Sequence, residues 1–248
     1  MFSCPISIFW PYSTLSHYLC TMDVFGKALM DFYRTGTASM VLLHNSYDDA
    51  EEMPIDFFFR NDEEMPVLEL KALHMCNGKV LDVGAGVGSH ALVLQAFNID
   101  VTAIDVSEAA VKIMKDRGVK KAFLQDIFTY TEKFDTVLML MNGIGLTGTL
   151  TVFKEFLEKL KDLINPGGQV LFDTSDIAYL YQDLPKPQNC YYGEVSYQYE
   201  YEGEKGNRFN WLYVDPETVK KMASETGWKS EVIFDDGEDQ YLVRLTLV

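Results

Sequence analysis

Three glycines at alternate positions, Gly84, Gly86 and Gly88, follow the apolar run Val80-Leu81-Asp82-Val83 and precede Ser89, His90 and the apolar stretch Ala91 to Phe97. That order is a strand carrying an acid near its end, a glycine turn and a helix. Glycines let the chain turn sharply and let a ligand approach with no Cβ in the way. The first N–H groups of the helix lack partners within it and face the turn. A second apolar run, Val101-Thr102-Ala103-Ile104, ends in Asp105, about 20 residues on, where a βαβ nucleoside site places its ribose-binding acid. The chemistry on offer is capture of a nucleoside-bearing small molecule. The plainer reading is a tight turn whose acids cap helix ends.

A dinucleotide fingerprint wants glycine at the first, third and sixth positions of the turn. Counted from Gly84 these are Gly84, Gly86 and Ser89, so the last is missed. A P-loop ends in Gly-Lys-Ser/Thr, and no lysine precedes Ser89. The pattern that fits is Asp-x-Gly-x-Gly-x-Gly from Asp82, followed by Asp105 at a strand end. It resembles the first two motifs of class I S-adenosylmethionine-dependent methyltransferases. The likeness continues through Ala122-Phe123-Leu124-Gln125-Asp126-Ile127 as a third strand and Phe134 to Asn142 as a fourth. Leu160 to Phe172 then reads as a helix end, a Pro166-Gly167-Gly168 turn and a fifth strand. The resembling stretch runs from Lys79 to about Asp173, a little over a third of the chain.

The resemblance implies a Rossmann-like, doubly wound α/β fold with a seven-stranded, mostly parallel sheet and an antiparallel last strand. It implies S-adenosylmethionine as cofactor and no metal. Carried onto this sequence, Gly84, Ala85 and Gly86 admit the methionine part, and Asp82 helps fix its amino group. Asp105 holds the ribose hydroxyls through charge-assisted hydrogen bonds. Val106 and Ile127 sandwich adenine, Asp126 accepts from its exocyclic amine, and Asn142 lies near the reacting methyl. No catalytic residue is assigned, because an amine or thiolate acceptor can dispense with a base that a hydroxyl would use. His44, Tyr47 and His90 are the candidates if one is needed, with His90 reading equally as a packing residue.

Elements outside these motifs must position them. An amphipathic helix starts at Asp23 and runs through Tyr33. Ser39 to His44 and Pro54 to Phe59 read as strands joined by the acidic stretch Asn45 to Glu52, and Asn61 to Pro66 opens a helix with the apolar stripe Val67, Leu68, Leu70 and Leu73. Arg60 is expected to pair with the cofactor's carboxylate, where a bidentate guanidinium contact is strongest; a surface arginine beside Asp62 and Glu63 fits as well. Beyond the fifth strand, Tyr191 to Tyr201 and Arg208 to Tyr213 flank the turn Glu202-Gly203-Glu204-Lys205-Gly206, a hairpin. It is either part of the acceptor pocket or an ordinary pair of edge strands with aromatic cross-strand contacts. Asp215-Pro216-Glu217 opens a helix ended by Gly227, and Trp228–Phe234 with Tyr241–Leu247 make a last antiparallel pair. The expected organisation is an N-terminal extension over 1–78 and a core over 79–248 with the hairpin insert at about 191–213.

At 248 residues and 48% hydrophobic content the chain can bury a full core. Its formal charge of −16 argues against gripping a nucleic-acid backbone, which needs a basic stripe. Cys4, Cys20, Cys76 and Cys190 lie far apart with no C-x-x-C pair, as expected of reduced cytoplasmic thiols. Residues 1–21 hold no charged side chain, and Pro5 and Pro11 interrupt any bilayer-spanning helix. They are expected to be a misassigned start ahead of Met22, or else an arm that packs on the domain. The expected partner is a small-molecule acceptor, with neither nucleic acid nor membrane, in a monomer or a homodimer. An aminopropyltransferase-like enzyme, for which the acids Asp48, Asp49, Glu51 and Glu52 would suit a polyamine, or a non-catalytic S-adenosylmethionine-binding protein, stays open as the alternative.

Overall fold

The computed structural model describes residues 23–182 and 185–248; the expectations for residues 1–21 lie outside them. Helix α1 (Val24–Thr35) starts where Asp23 Oδ1 accepts from the Gly26 N–H at 2.7 Å, and it stops at Gly36, whose φ is +75°. Strand β1 (Val41–His44) follows as expected, but its partner β2 is Glu51–Met53, which begins inside the acidic stretch read as a connection and ends one residue beyond it. The strand expected over Pro54–Phe59 is instead a single 3₁₀ turn over Asp56–Phe59. Pro54 has no N–H to give a ladder, and the turn brings successive phenylalanines onto α1. Phe58 meets Phe25 at 5.0 Å and Phe59 meets Phe32 at 4.9 Å between ring centroids.

The helix expected to open at Asn61–Pro66 is split in two. A 3₁₀ turn, Asp62–Glu64, is closed by a capping box from Asn61 and Glu64, and Met65 is then extended before Pro66, as a residue preceding proline must be. Helix α2 (Val67–Met75) follows. Its buried face is Leu68, Glu69, Ala72 and Leu73, while Val67, placed in the stripe by the sequence, is 66% exposed. An acid therefore occupies a place on the buried stripe.

From here the chain alternates strand and helix through β3 (Lys79–Val83), α3 (Ser89–Ala96), β4 (Asp100–Asp105), α4 (Glu108–Asp116) and β5 (Ala122–Leu124). It continues through β6 (Phe134–Met139), α5 (Leu150–Leu163) and β7 (Ile164–Ser175). The third and fourth strands are shorter than the sequence suggested. Ile127 already belongs to a 3₁₀ turn, and Met141 and Asn142 both have positive φ. The Pro166-Gly167-Gly168 turn falls within β7, where the pairing with β6 shifts register between Phe134 and Thr136. Next come β8 (Glu194–Tyr201), the short β9 (Glu204–Lys205), β10 (Phe209–Leu212), α6 (Pro216–Glu225), β11 (Trp228–Asp235) and β12 (Gln240–Leu247).

Seven strands form one sheet in the order β11-β12-β7-β6-β3-β4-β5, with β3 to β7 parallel and β12 antiparallel to both neighbours. Side chains alternate between its faces. Val137, Met139, Phe172 and Val243 pack with Phe153, Phe156 and Leu160 of α5, whereas Leu138, Leu171 and Leu242 pack with Leu68 and Leu73 of α2 and Leu94 of α3. Near-continuous apolar strands are what a sheet covered on both sides requires. A second, antiparallel sheet, β10-β8-β1-β2 with β9 on β8, joins the extension to the hairpin insert; Leu43 pairs with Tyr199 and Phe209 with Tyr197.

Candidate functional site

Strand order reverses between β3 and β6, since β4 continues from one side of β3 and β7 from the far side of β6. Open α/β sheets bind ligands outside the carboxyl ends of the strands at such a reversal. The glycine turn leaves β3 at that point. Gly84 and Gly86 have φ of +66° and +54°, and a Cβ built on either meets nothing within 4 Å, so both border open space. Gly88 serves packing: its φ is +83°, and a Cβ there would lie 2.7 Å from Val119 Cγ2 and 2.9 Å from Met114 Cγ. Ala85 anchors the turn, its N–H donating to Ile104 O at 3.0 Å.

Three carboxylates lie near the carboxyl ends of β3, β4 and β7. Asp82 is 1% exposed, and its Oδ2 has no hydrogen-bond partner among the described residues. Burial, reinforced by the Asp105 charge and opposed by His90, pushes its pKa up to about 6. A buried acceptor without a donor is a costly arrangement unless a ligand supplies one. Asp105 accepts from the Gly86 N–H through Oδ2 and from the Ser107 N–H through Oδ1, both at 2.8 Å. Burial pushes it up to about 6 against those two bonds. Asp173, at the end of β7, accepts from the Asn142 N–H at 3.0 Å on each oxygen and from Gln240 Nε2 at 3.0 Å; burial raises it to about 6 as well.

The remaining sequence-derived residues fall in different settings. Val106 is 38% exposed beside Asp105, while Ile127 is buried in the core. Asp126 caps the 3₁₀ turn after β5, its Oδ1 accepting from the Phe128 N–H at 2.9 Å. Arg60 is turned inward: Nη2 donates to Glu69 Oε1 at 2.7 Å, its guanidinium lies 4.8 Å from the Phe57 ring centroid, and its buried Nε has no partner among the described residues. Glu69 reaches His90 with its other oxygen, Oε2 to Nε2 at 2.7 Å. Burial would raise Glu69, but His90 and Arg60 together hold it below the ordinary value. Burial would lower His90, but the Glu69 bond and the charges of Asp82, Glu69 and Asp173 raise it. His44 sits away from this network, paired with Glu200 Oε2 at 2.7 Å across β1 and β8.

Asn142, in left-handed conformation, accepts from Ser175 Oγ at 3.2 Å, and both border a pocket of about 220 Å³. Its walls are Tyr47, Tyr179, Tyr197 and Tyr213, with Glu51 and Asp239 at its edge. A hydroxyl chain crosses it, from Glu51 Oε1 to Tyr47 (2.7 Å), on to Tyr197 (3.4 Å) and Tyr213 (3.2 Å). Burial holds the phenols of Tyr47, Tyr197 and Tyr213 above their ordinary range, so they stay neutral. Tyr47, one of three candidate bases in the sequence, lines this pocket with Tyr197 and Tyr213 of the hairpin, which the sequence left open between an acceptor pocket and plain edge strands; Glu69, Asp173 and Asp239 were not singled out there. Glu69 had one signal, an acid between Leu68 and Leu70 in a helical apolar run. Among the described residues no cluster of His, Cys, Asp or Glu is arranged to hold a metal ion, and no helix is long and apolar enough to cross a membrane.

Residues 55–231 match the family described as a methyltransferase domain. The solved structure of an S-adenosylmethionine-dependent methyltransferase from Bacteroides fragilis, in complex with S-adenosyl-L-homocysteine, is 38% identical. It covers 93% of this chain and 99% of its own, with a TM-score of 0.84. Two more distant structures share the fold. The DhpI–SAM–HEP complex is 21% identical over 72% of this chain and 84% of its own, with a TM-score of 0.57. The CcbJ methyltransferase from Streptomyces caelestis is 14% identical over 76% and 99%, with a TM-score of 0.59. No curated protein matches the chain.

Proposed function

The chain belongs to the S-adenosylmethionine-dependent methyltransferases, and from that premise we propose that it transfers a methyl group to a small-molecule acceptor held in the tyrosine pocket. Asp82 carries this reading: a buried carboxylate oxygen without a donor, beside glycines that border open space, suits an incoming ammonium group. Bound S-adenosylmethionine supplies an electrophilic methyl on a sulfonium, whose in-line displacement depends on alignment. The chain's own residues supply that alignment. Asp82 receives the amino group of the methionine part, and Gly84, Ala85 and Gly86 leave its path clear. Arg60, held by Glu69, keeps an Nε N–H without a partner among the described residues and offers it to the carboxylate. Asp105 takes the ribose hydroxyls on lone pairs left over from its two backbone bonds, and Val106, Ile127 and Asp126 receive adenine. Asp173 fixes the Asn142 backbone, which sets Asn142 at the border between cofactor and acceptor.

We assign residues 1–78 to an extension and 79–248 to the core, the two meeting in the second sheet. A cytoplasmic setting suits cysteines that lie far apart in the sequence with no C-x-x-C pair. The pH dependence of S-adenosylhomocysteine binding tests the site. Asp82 and Asp105 titrate near 6 in the free protein and accept hydrogen bonds best when ionised. Affinity is therefore expected to be level above that pH and to fall by about tenfold per pH unit for each group below it. Calorimetric titrations across this range that give one constant affinity contradict the assignment.

A further inference from the structure

We propose that the acceptor is a small protonated amine, which makes the protein an N-methyltransferase; this rests on the methyl-transfer reading above and names its substrate class. The pocket beside Asn142 is about 220 Å³, below the ~300–1,000 Å³ of drug-sized sites. A compact acceptor fits. Its charge follows from the walls. The hydroxyls of Tyr47, Tyr197 and Tyr213 can accept from an N–H donor, and Glu51 and Asp239 add negative charge. None of the lining residues is Lys, Arg or His, so a carboxylate or phosphate would meet like charge with no counter-ion. A neutral alcohol would leave the acids without a charge to meet.

The same residues account for the proton that an ammonium must lose before its nitrogen can attack. Tyr47 donates to Glu51 Oε1 at 2.7 Å, and Glu51 is exposed. The ammonium gives a proton to the Tyr47 oxygen as that hydroxyl passes its own to Glu51, which releases it to water. The freed lone pair forms the N–C bond to the methyl carbon while the C–S bond breaks and its electron pair stays on sulfur. The products are a methylated ammonium, neutral S-adenosylhomocysteine and one proton. Atoms and charge balance.

The test incubates the full chain with methyl-labelled S-adenosylmethionine and the small-molecule fraction of a cell extract, split at neutral pH on cation and anion exchangers. Label is expected in the cation-retained pool, on a product that stays cationic and carries the methyl on nitrogen by NMR. Label confined to the anion-retained or unretained pools overturns the amine. No label in any pool overturns methyl transfer as well, and S-adenosylhomocysteine titration on the same sample then tells whether the cofactor site stands. Glu51→Gln, an exposed change, is expected to lower the rate at subsaturating cationic acceptor by about tenfold, equivalent to about 1.4 kcal/mol, with cofactor affinity unchanged. Tyr47→Phe, which keeps the ring, is expected to lower kcat more than it raises KM. Unchanged kinetics in both variants overturn the proposed relay.

Discussion

Replacing Asp105 with alanine is expected to weaken S-adenosylhomocysteine binding by about tenfold to a hundredfold. A hydrogen bond to a charged group is worth about 1.5–3 kcal/mol, and each 1.4 kcal/mol is about a factor of ten in affinity. The effect reaches beyond the ribose, because the same carboxylate holds the Gly86 and Ser107 N–H groups at 2.8 Å. Removing it frees the glycine turn. Asp126→Ala is expected to cost less. Adenine rests also on Val106 and Ile127, and Asp126 already spends one oxygen capping its own turn. Calorimetry on the two variants gives the order, and a greater loss for Asp126→Ala than for Asp105→Ala would mean that the register assigned to the site is wrong.

The largest effect on stability is expected from Glu69→Ala. Glu69 is the shared partner of Arg60 and His90 at 2.7 Å each, and all three side chains are nearly buried. Breaking a buried pair from one side costs about 3–5 kcal/mol because it strands the other charge. In a chain of this size each kcal/mol is about 2–4 °C in melting temperature, so a fall of about 10 °C is expected at pH 6. Arg60→Met combined with Glu69→Ala removes the stranded guanidinium and is expected to recover part of the loss. His90 fixes the pH sense. Its pKa is raised above 6.5 in the folded protein, so its share of stability is full below 6.5 and is lost as pH rises through the raised value. A melting temperature within about 2 °C of the parent at pH 6 would show that the pair holds little of the fold together.

The glycine turn, Asp82 and Asp105 were legible in the sequence because their geometry is local, a strand, a turn and a helix in unbroken order. Asp173 and Asp239 were not. Their settings arise only once β7, the β6 loop and the start of β12 lie side by side, where Asp173 meets Asn142 and Gln240 and Asp239 lines the tyrosine pocket. Glu69 was hidden by a one-residue error of phase on α2, which put Val67 on the buried stripe. The second sheet was illegible as a unit, since β1 finds its partner β8 more than 150 residues away, as in His44 with Gln198. Period-2 patterning marked β8 and could not show that it pairs with β1.

Titration calorimetry on chelator-treated protein at about pH 7.5, with S-adenosylhomocysteine and, separately, NAD, reads the identity of the cofactor most directly. Ser89 stands where a dinucleotide turn needs its last glycine, and the buried Asp82 oxygen has no donor among the described residues. Saturable heat with S-adenosylhomocysteine and none with NAD is the expected result. Saturable micromolar binding of NAD, with no heat from S-adenosylhomocysteine, would contradict it.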